Sequence, residues 1–135
     1  MVFIQEESGN ENKKVESSPK LAKGLLYPTQ KKQVTLTVPA KRGIEYKVKM
    51  QKYGRLKFEW QTSGEPLYYD FHGEPKGDTT GFFESFSIAT ARQAKGTMTV
   101  PFEGVHGWYW KNTSENEIKV TLNIEGHYEI VGSLK

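Results

Sequence analysis

The stretch Ile118-Lys119-Val120-Thr121-Leu122-Asn123-Ile124 decides the fold class. Apolar residues at 118, 120, 122 and 124 alternate with polar ones at 119, 121 and 123, so an extended chain here has one apolar face and one wet face. The same period of two recurs outward from this run. Val34, Leu36 and Val38 alternate with Thr35 and Thr37 before Pro39. Ile44, Tyr46, Val48 and Met50 alternate with Glu45, Lys47 and Lys49, and Leu56, Phe58 and Trp60 alternate with Lys57 and Glu59. Met98, Val100 and Phe102 repeat the pattern, and beyond Gly126 the pair Tyr128 and Ile130 marks a last short strand. No stretch shows sustained helical spacing. Short alternating runs at intervals of roughly 8–12 residues predict an all-β protein, an antiparallel β-sandwich of jelly-roll-like form with about eight short strands. The Tyr53-Gly54 turn is expected to join its two flanking runs as a hairpin, with Lys47, Lys49 and Lys57 on a solvated outer face.

The chain has 135 residues, enough for one domain with a proper core. Residues 1–31 are rich in Glu, Ser, Asn and Lys without apolar spacing and read as a disordered tail or linker, which leaves 32–135 as the sandwich. There are no cysteines, so disulfides, thiolate metal sites and cysteine nucleophiles are excluded. The net charge of +3 comes from lysines scattered among glutamates, and Arg42, Arg55 and Arg92 lie far apart. Without a basic cluster there is no electrostatic footprint for nucleic acid. No run of about 18 apolar residues is present to span a bilayer as a helix.

Two segments concentrate the chemistry: Tyr68-Tyr69-Asp70-Phe71-His72-Gly73-Glu74-Pro75 and Gly104-Val105-His106-Gly107-Trp108-Tyr109-Trp110-Lys111-Asn112. On a strand, Asp70 and His72 project from one face about 7 Å apart, so both can approach one ion. With His106 they form a candidate metal set whose nitrogen and oxygen donors suit Zn or Cu. The alternative is that both histidines are orienting groups satisfied by Asp70, a carbonyl or a tyrosine hydroxyl.

Tyr68, Trp108, Tyr109 and Trp110 are the candidate ligand- or partner-binding residues, since aromatic rings on a sheet stack on sugars, peptides or bases. Trp108 and Trp110 share a face with His106, and Tyr109 points the other way. The competing reading of Trp60, Trp108 and Trp110 is that they fill a core short of aliphatics. No nucleophile elbow, phosphate-binding glycine loop or His-Glu-x-x-His helix accompanies these residues, and a catalytic role is not expected.

From about Val34 to Ile130 the chain resembles a family of small bacterial proteins labelled transmembrane anchor proteins. The residues that carry this are Phe58-Glu59-Trp60, Tyr69 to Glu74 with Gly77, Phe102 to Asn112, Val120-Thr121-Leu122 and Gly126-His127-Tyr128. The resemblance implies an extracytoplasmic, periplasmic β-domain tethered to the inner membrane through an N-terminal helix and linker. No such helix occurs in these 135 residues, so membrane contact is expected only through an upstream anchor. Phe102 to Asn112 bears a weaker likeness to the β-sandwich of Golgi-dynamics (GOLD) domains, which implies an interaction module. The reading from sequence is a non-catalytic extracytoplasmic binding domain of a membrane-anchored bacterial protein. Its partner would be a protein or small molecule, with no nucleic acid involved and no cofactor. The alternative is a periplasmic Zn- or Cu-binding domain.

Overall fold

The computed structural model describes residues 24–134. Among these residues are nine strands: β1 (Thr29–Val38), β2 (Gly43–Met50), β3 (Arg55–Thr62), β4 (Leu67–Pro75), β5 (Glu84–Ala91), β6 (Gln93–Thr99), β7 (Gly104–Lys111), β8 (Ile118–His127) and β9 (Glu129–Leu134). They form a four-stranded sheet in the order β1-β8-β3-β6 and a five-stranded sheet in the order β5-β4-β7-β2-β9. Every pairing is antiparallel. With β9 set aside, this is the strand order of a jelly roll, the form expected from the alternation. The added β9 brings the count to nine where about eight were expected.

The core lies between the sheets and is built from the apolar half of each alternation. Leu36 and Val38 of β1, Leu56 and Trp60 of β3, and Ile118, Val120, Leu122 and Ile124 of β8 face Tyr46, Val48 and Met50 of β2, Tyr69 and Phe71 of β4, and Trp108 and Trp110 of β7. Aromatic contacts bridge the sheets. The Trp60 and Trp110 rings meet edge to face at 5.7 Å, and Phe58 meets Trp108 at 5.5 Å. Burying each such side chain stabilises the fold by about 1.5–3 kcal/mol.

Two expectations need correction. The runs 44–50 and 56–60 are not a hairpin: β2 pairs with β7 and β9, whereas β3 pairs with β6 and β8. The Tyr53-Gly54 turn is a corner that carries the chain from one sheet to the other, with Tyr53 in the left-handed region (φ 69°) and its N–H bonded to the Val100 carbonyl. Alternation sets which side chains point inward, and it is the same for strands side by side and strands face to face.

The expected tail over 1–31 falls mostly outside the described residues, but Thr29 to Lys31 belong to β1 and pair with Glu125 to His127. Gly24 and Leu26 are tied to the body through the Gln51 side chain, which donates to the Gly24 carbonyl and accepts from the Leu26 N–H.

Candidate functional site on the outer face of the five-stranded sheet

The register between β4 and β7 sets the geometry of both chemistry-bearing segments. His72 lies opposite Gly107, and Gly73 lies opposite His106. Paired residues share a sheet face, so successive residues diverge. Tyr68, Asp70, His72 and Glu74 point outward, while Tyr69, Phe71 and Gly73 point into the core beside His106, Trp108 and Trp110.

The three candidate metal ligands therefore do not converge, which corrects the expectation. Asp70 and His72 stand on the outer face and His106 on the inner one. Among the described residues no three His, Cys, Asp or Glu side chains are grouped to hold a metal ion.

His106 is fully buried. Its Nε2–H donates to the Phe102 carbonyl at 3.0 Å, and its ring packs against Phe86 and Phe102. Gly73 makes room for it, because a Cβ at that position would overlap the imidazole. Burial drives its pKa down to about 4, so it is neutral at pH 7, with Nδ1 lacking a partner among the described residues.

The four candidate binding aromatics are divided in the same way. Trp108 and Trp110 are fully buried, with Trp108 stacked on Phe71 at 4.8 Å, and neither can reach a ligand outside the sandwich. This corrects the aromatic platform expected from the sequence and agrees with the competing core reading. Tyr68 and Tyr109 remain on the outer face, edge to face at 6.4 Å.

Around them the outer face carries a connected set of charges. Lys47 of β2 is only 2% exposed although it points away from the core. It lies in one row with Gly107 and His72, and its ammonium group reaches across β7 to the carboxylate of Glu74 on β4. Glu45 Oε1 lies 3.7 Å from the same ammonium group. His72, 5% exposed, donates Nδ1–H to the Asp70 carbonyl at 3.0 Å and keeps Nε2 3.8 Å from Glu74 Oε2. Asp70 Oδ1 accepts the Ser85 hydroxyl at 2.8 Å. Each polar group here is held by another, so the side chains have fixed positions.

Beside this set the β4–β5 loop walls off an open cleft of about 560 Å³, lined by Tyr27, Glu74, Lys76, Asp78, Phe83 and Val105 among others. Asp78 organises the loop: its carboxylate accepts from the N–H and hydroxyl of Thr80 and from the N–H of Phe82, and these bonds, the Thr80 hydroxyl foremost, lower its pKa. The loop holds Phe82 and Phe83 at the rim, 55% and 49% exposed, with the Phe83 ring 5.1 Å from His72.

Sequence reasoning missed Phe82 and Phe83 as site residues, and it expected Lys47 on a solvated face where the structure buries it. Lys47 carried no local signal, because its partner Glu74 lies on another strand. Adjacent phenylalanines in a loop rich in turn residues were a usable signal for Phe82 and Phe83.

No protein-family model and no curated protein sequence matches the chain. Among solved structures, it is similar to PliG of Aeromonas hydrophila, a periplasmic lysozyme inhibitor of g-type lysozyme, at 14% identity and a TM-score of 0.48, over 80% of this chain and 92% of that one. That likeness concerns the path of the chain alone.

Proposed function

We propose that this protein is a non-catalytic binding domain that holds a protein partner against the outer face of its five-stranded sheet, at the cleft beside the β4–β5 loop. The observation that carries this reading is the pair of half-exposed phenylalanines, Phe82 and Phe83, fixed by Asp78 at the rim of that cleft. Large aromatic side chains held in water by an ordered loop lose their hydrophobic contribution unless something covers them, and such patches mark interaction surfaces. The cleft is open, which suits the side chains of a protein surface better than an enclosed small molecule.

The acid–base groups nearby support binding over catalysis. Lys47 is committed to Glu74, His72 to the Asp70 carbonyl, and Asp70 to Ser85. The resemblance in sequence to transmembrane anchor proteins supports a place outside the cytoplasm, displayed from a membrane tether. Among the described residues no helix is long and apolar enough to cross a membrane.

A photo-crosslinking residue in place of Phe83, in cells that produce the protein, should give one discrete adduct with a second protein. The same residue in place of Thr121, on the outer face of the other sheet, should give none. Equal adducts at both positions, or none at either, would sink the reading.

A further inference from the structure

The cleft beside the β4–β5 loop is lined by two kinds of group that attract the same thing. Tyr27, Phe82 and Phe83 bring aromatic rings to it, and Glu74, Asp78 and Glu103 bring carboxylates. Both draw a cation, the ring through its quadrupole and the acid through its full charge.

The balance of charge has the same sign. The cleft lining and the connected charges beside it hold five carboxylates, Glu45, Asp70, Glu74, Asp78 and Glu103, against three ammonium groups, Lys47, Lys49 and Lys76, a local charge of −2. The chain as a whole carries +3. Lys47 is already tied to Glu74, and Lys76 to Glu103 at 3.2 Å. Lys49 lies across from a further acid, Glu129 of β9.

His72 marks where a cation would sit. Its ring is more than nine-tenths buried, and because Nδ1–H donates to the Asp70 carbonyl, Nε2 of the neutral ring is an acceptor. Among the described residues no donor is bonded to that nitrogen, and the nearest charged atom is another acceptor, Glu74 Oε2, at 3.8 Å. Two acceptors side by side in a largely buried setting call for a donor that serves both. The Phe83 ring stands 5.1 Å from the imidazole and flanks the same spot. A guanidinium meets all three demands, since its N–H donors lie in one fixed plane that can bridge two acceptors and stack on a ring. An ammonium group is a point charge, and Lys47 already places one on Glu74.

We infer that the cleft takes an arginine side chain of the protein partner, with its guanidinium on Glu74 Oε2 and His72 Nε2 and its face against Phe83. The inference rests on the reading of this cleft as the partner site and names the chemistry that the partner presents there.

The probe is the tripeptide acetyl-Leu-Arg-Leu-amide, titrated into the isotope-labelled full chain and followed by amide NMR shifts, beside the same peptide with citrulline, which keeps the shape and lacks the charge. The arginine peptide should bind with a dissociation constant of about 1 mM and shift the amides of Glu74, Phe83 and Val105, and the citrulline peptide should bind about tenfold more weakly or worse. Glu74→Gln should weaken the arginine peptide about tenfold and Phe83→Ser about threefold. Glu59→Gln, which removes the same charge from the outer face of the other sheet, should change nothing. Phe83 lies in an exposed loop, so its variant tests the site even where Glu74→Gln unfolds the chain, and the amide spectrum reports folding in each. Equal binding of the two peptides, shifts only outside the cleft, or indifference to Phe83→Ser and to a folded Glu74→Gln would each overturn the inference. A discrete photo-adduct at position 83 beside equal binding of the peptides would sink the arginine and keep the cleft.

Discussion

The two outer faces of this sandwich are written in the same alternating code and have opposite characters. On the four-stranded sheet, Lys57 faces Thr97 and Glu125, and Glu59 faces Lys95 and Asn123, short or charged side chains that are mostly in water. On the five-stranded sheet the equivalent layer holds a buried lysine, a buried histidine, two tyrosines in contact, and a loop that presents two phenylalanines. A lysine pays a desolvation cost to lie under its neighbours, and the first face never asks that of one. What separates them is cross-strand context: Lys57 sits beside threonine and glutamate, whereas Lys47 sits beside Gly107 and reaches across β7 to Glu74.

The comparison can be broken at the core, which both sheets share. Trp108→Ala in β7 and Trp60→Ala in β3 should each cost about 3–5 kcal/mol in denaturant unfolding, since both side chains are fully buried against one another's sheets. A cost below about 1 kcal/mol for either would mean that its sheet does not depend on the common core.

Acid should expose a second difference. Burial depresses the pKa of His106 from 6.5 to about 4, so between those values the unfolded chain binds a proton that the folded one refuses. Stability is then complete above pH 6.5 and is lost as pH falls towards 4, by about 3 kcal/mol. His106→Gln should flatten most of this slope. A smaller residue of the same sign should remain from His127 in β8, whose pKa is held down by burial and by Arg55. Chemical unfolding midpoints at pH 7, 5.5 and 4 would measure both, and an unchanged slope in the variant would remove His106 as its source.

The smallest expected effect separates the two outer faces directly. Lys47→Ala should cost about 1–2 kcal/mol through lost packing of the stem and loss of the Glu74 pair. Glu74 is half exposed and regains water, so the penalty of a stranded buried charge does not apply in full. Lys57→Ala should stay within about 0.5 kcal/mol. Equal costs in thermal or chemical melts would erase the distinction drawn between the faces.

Much of the architecture was legible because strand formation leaves a local mark. The run Ile118 to Ile124 announces β8 and its inward face, and the same reading recovers β1, β2, β3 and β7. The candidate site was legible only in part. Within β4, Asp70 and His72 share a face, and within β7, His106 shares one with Trp108 and Trp110. Each statement is sound from the sequence, yet whether those two faces coincide depends on which residue lies opposite which. Bulky residues on both faces of β4 left that undecided, and the answer came from Gly73 standing opposite His106.

By itself, then, the sequence determined that this chain is all β, where β1, β2, β3, β7 and β8 run, and which tryptophans are paired with which face, because period-two alternation is a property of consecutive residues. Only the tertiary structure decided that β2 and β3 belong to different sheets, that the two histidines lie on opposite sides of one sheet, and that Lys47 is buried. Those outcomes turn on register between strands about thirty to sixty residues apart in sequence, and a shift of one residue there would exchange the core face for the solvent face without altering any local pattern.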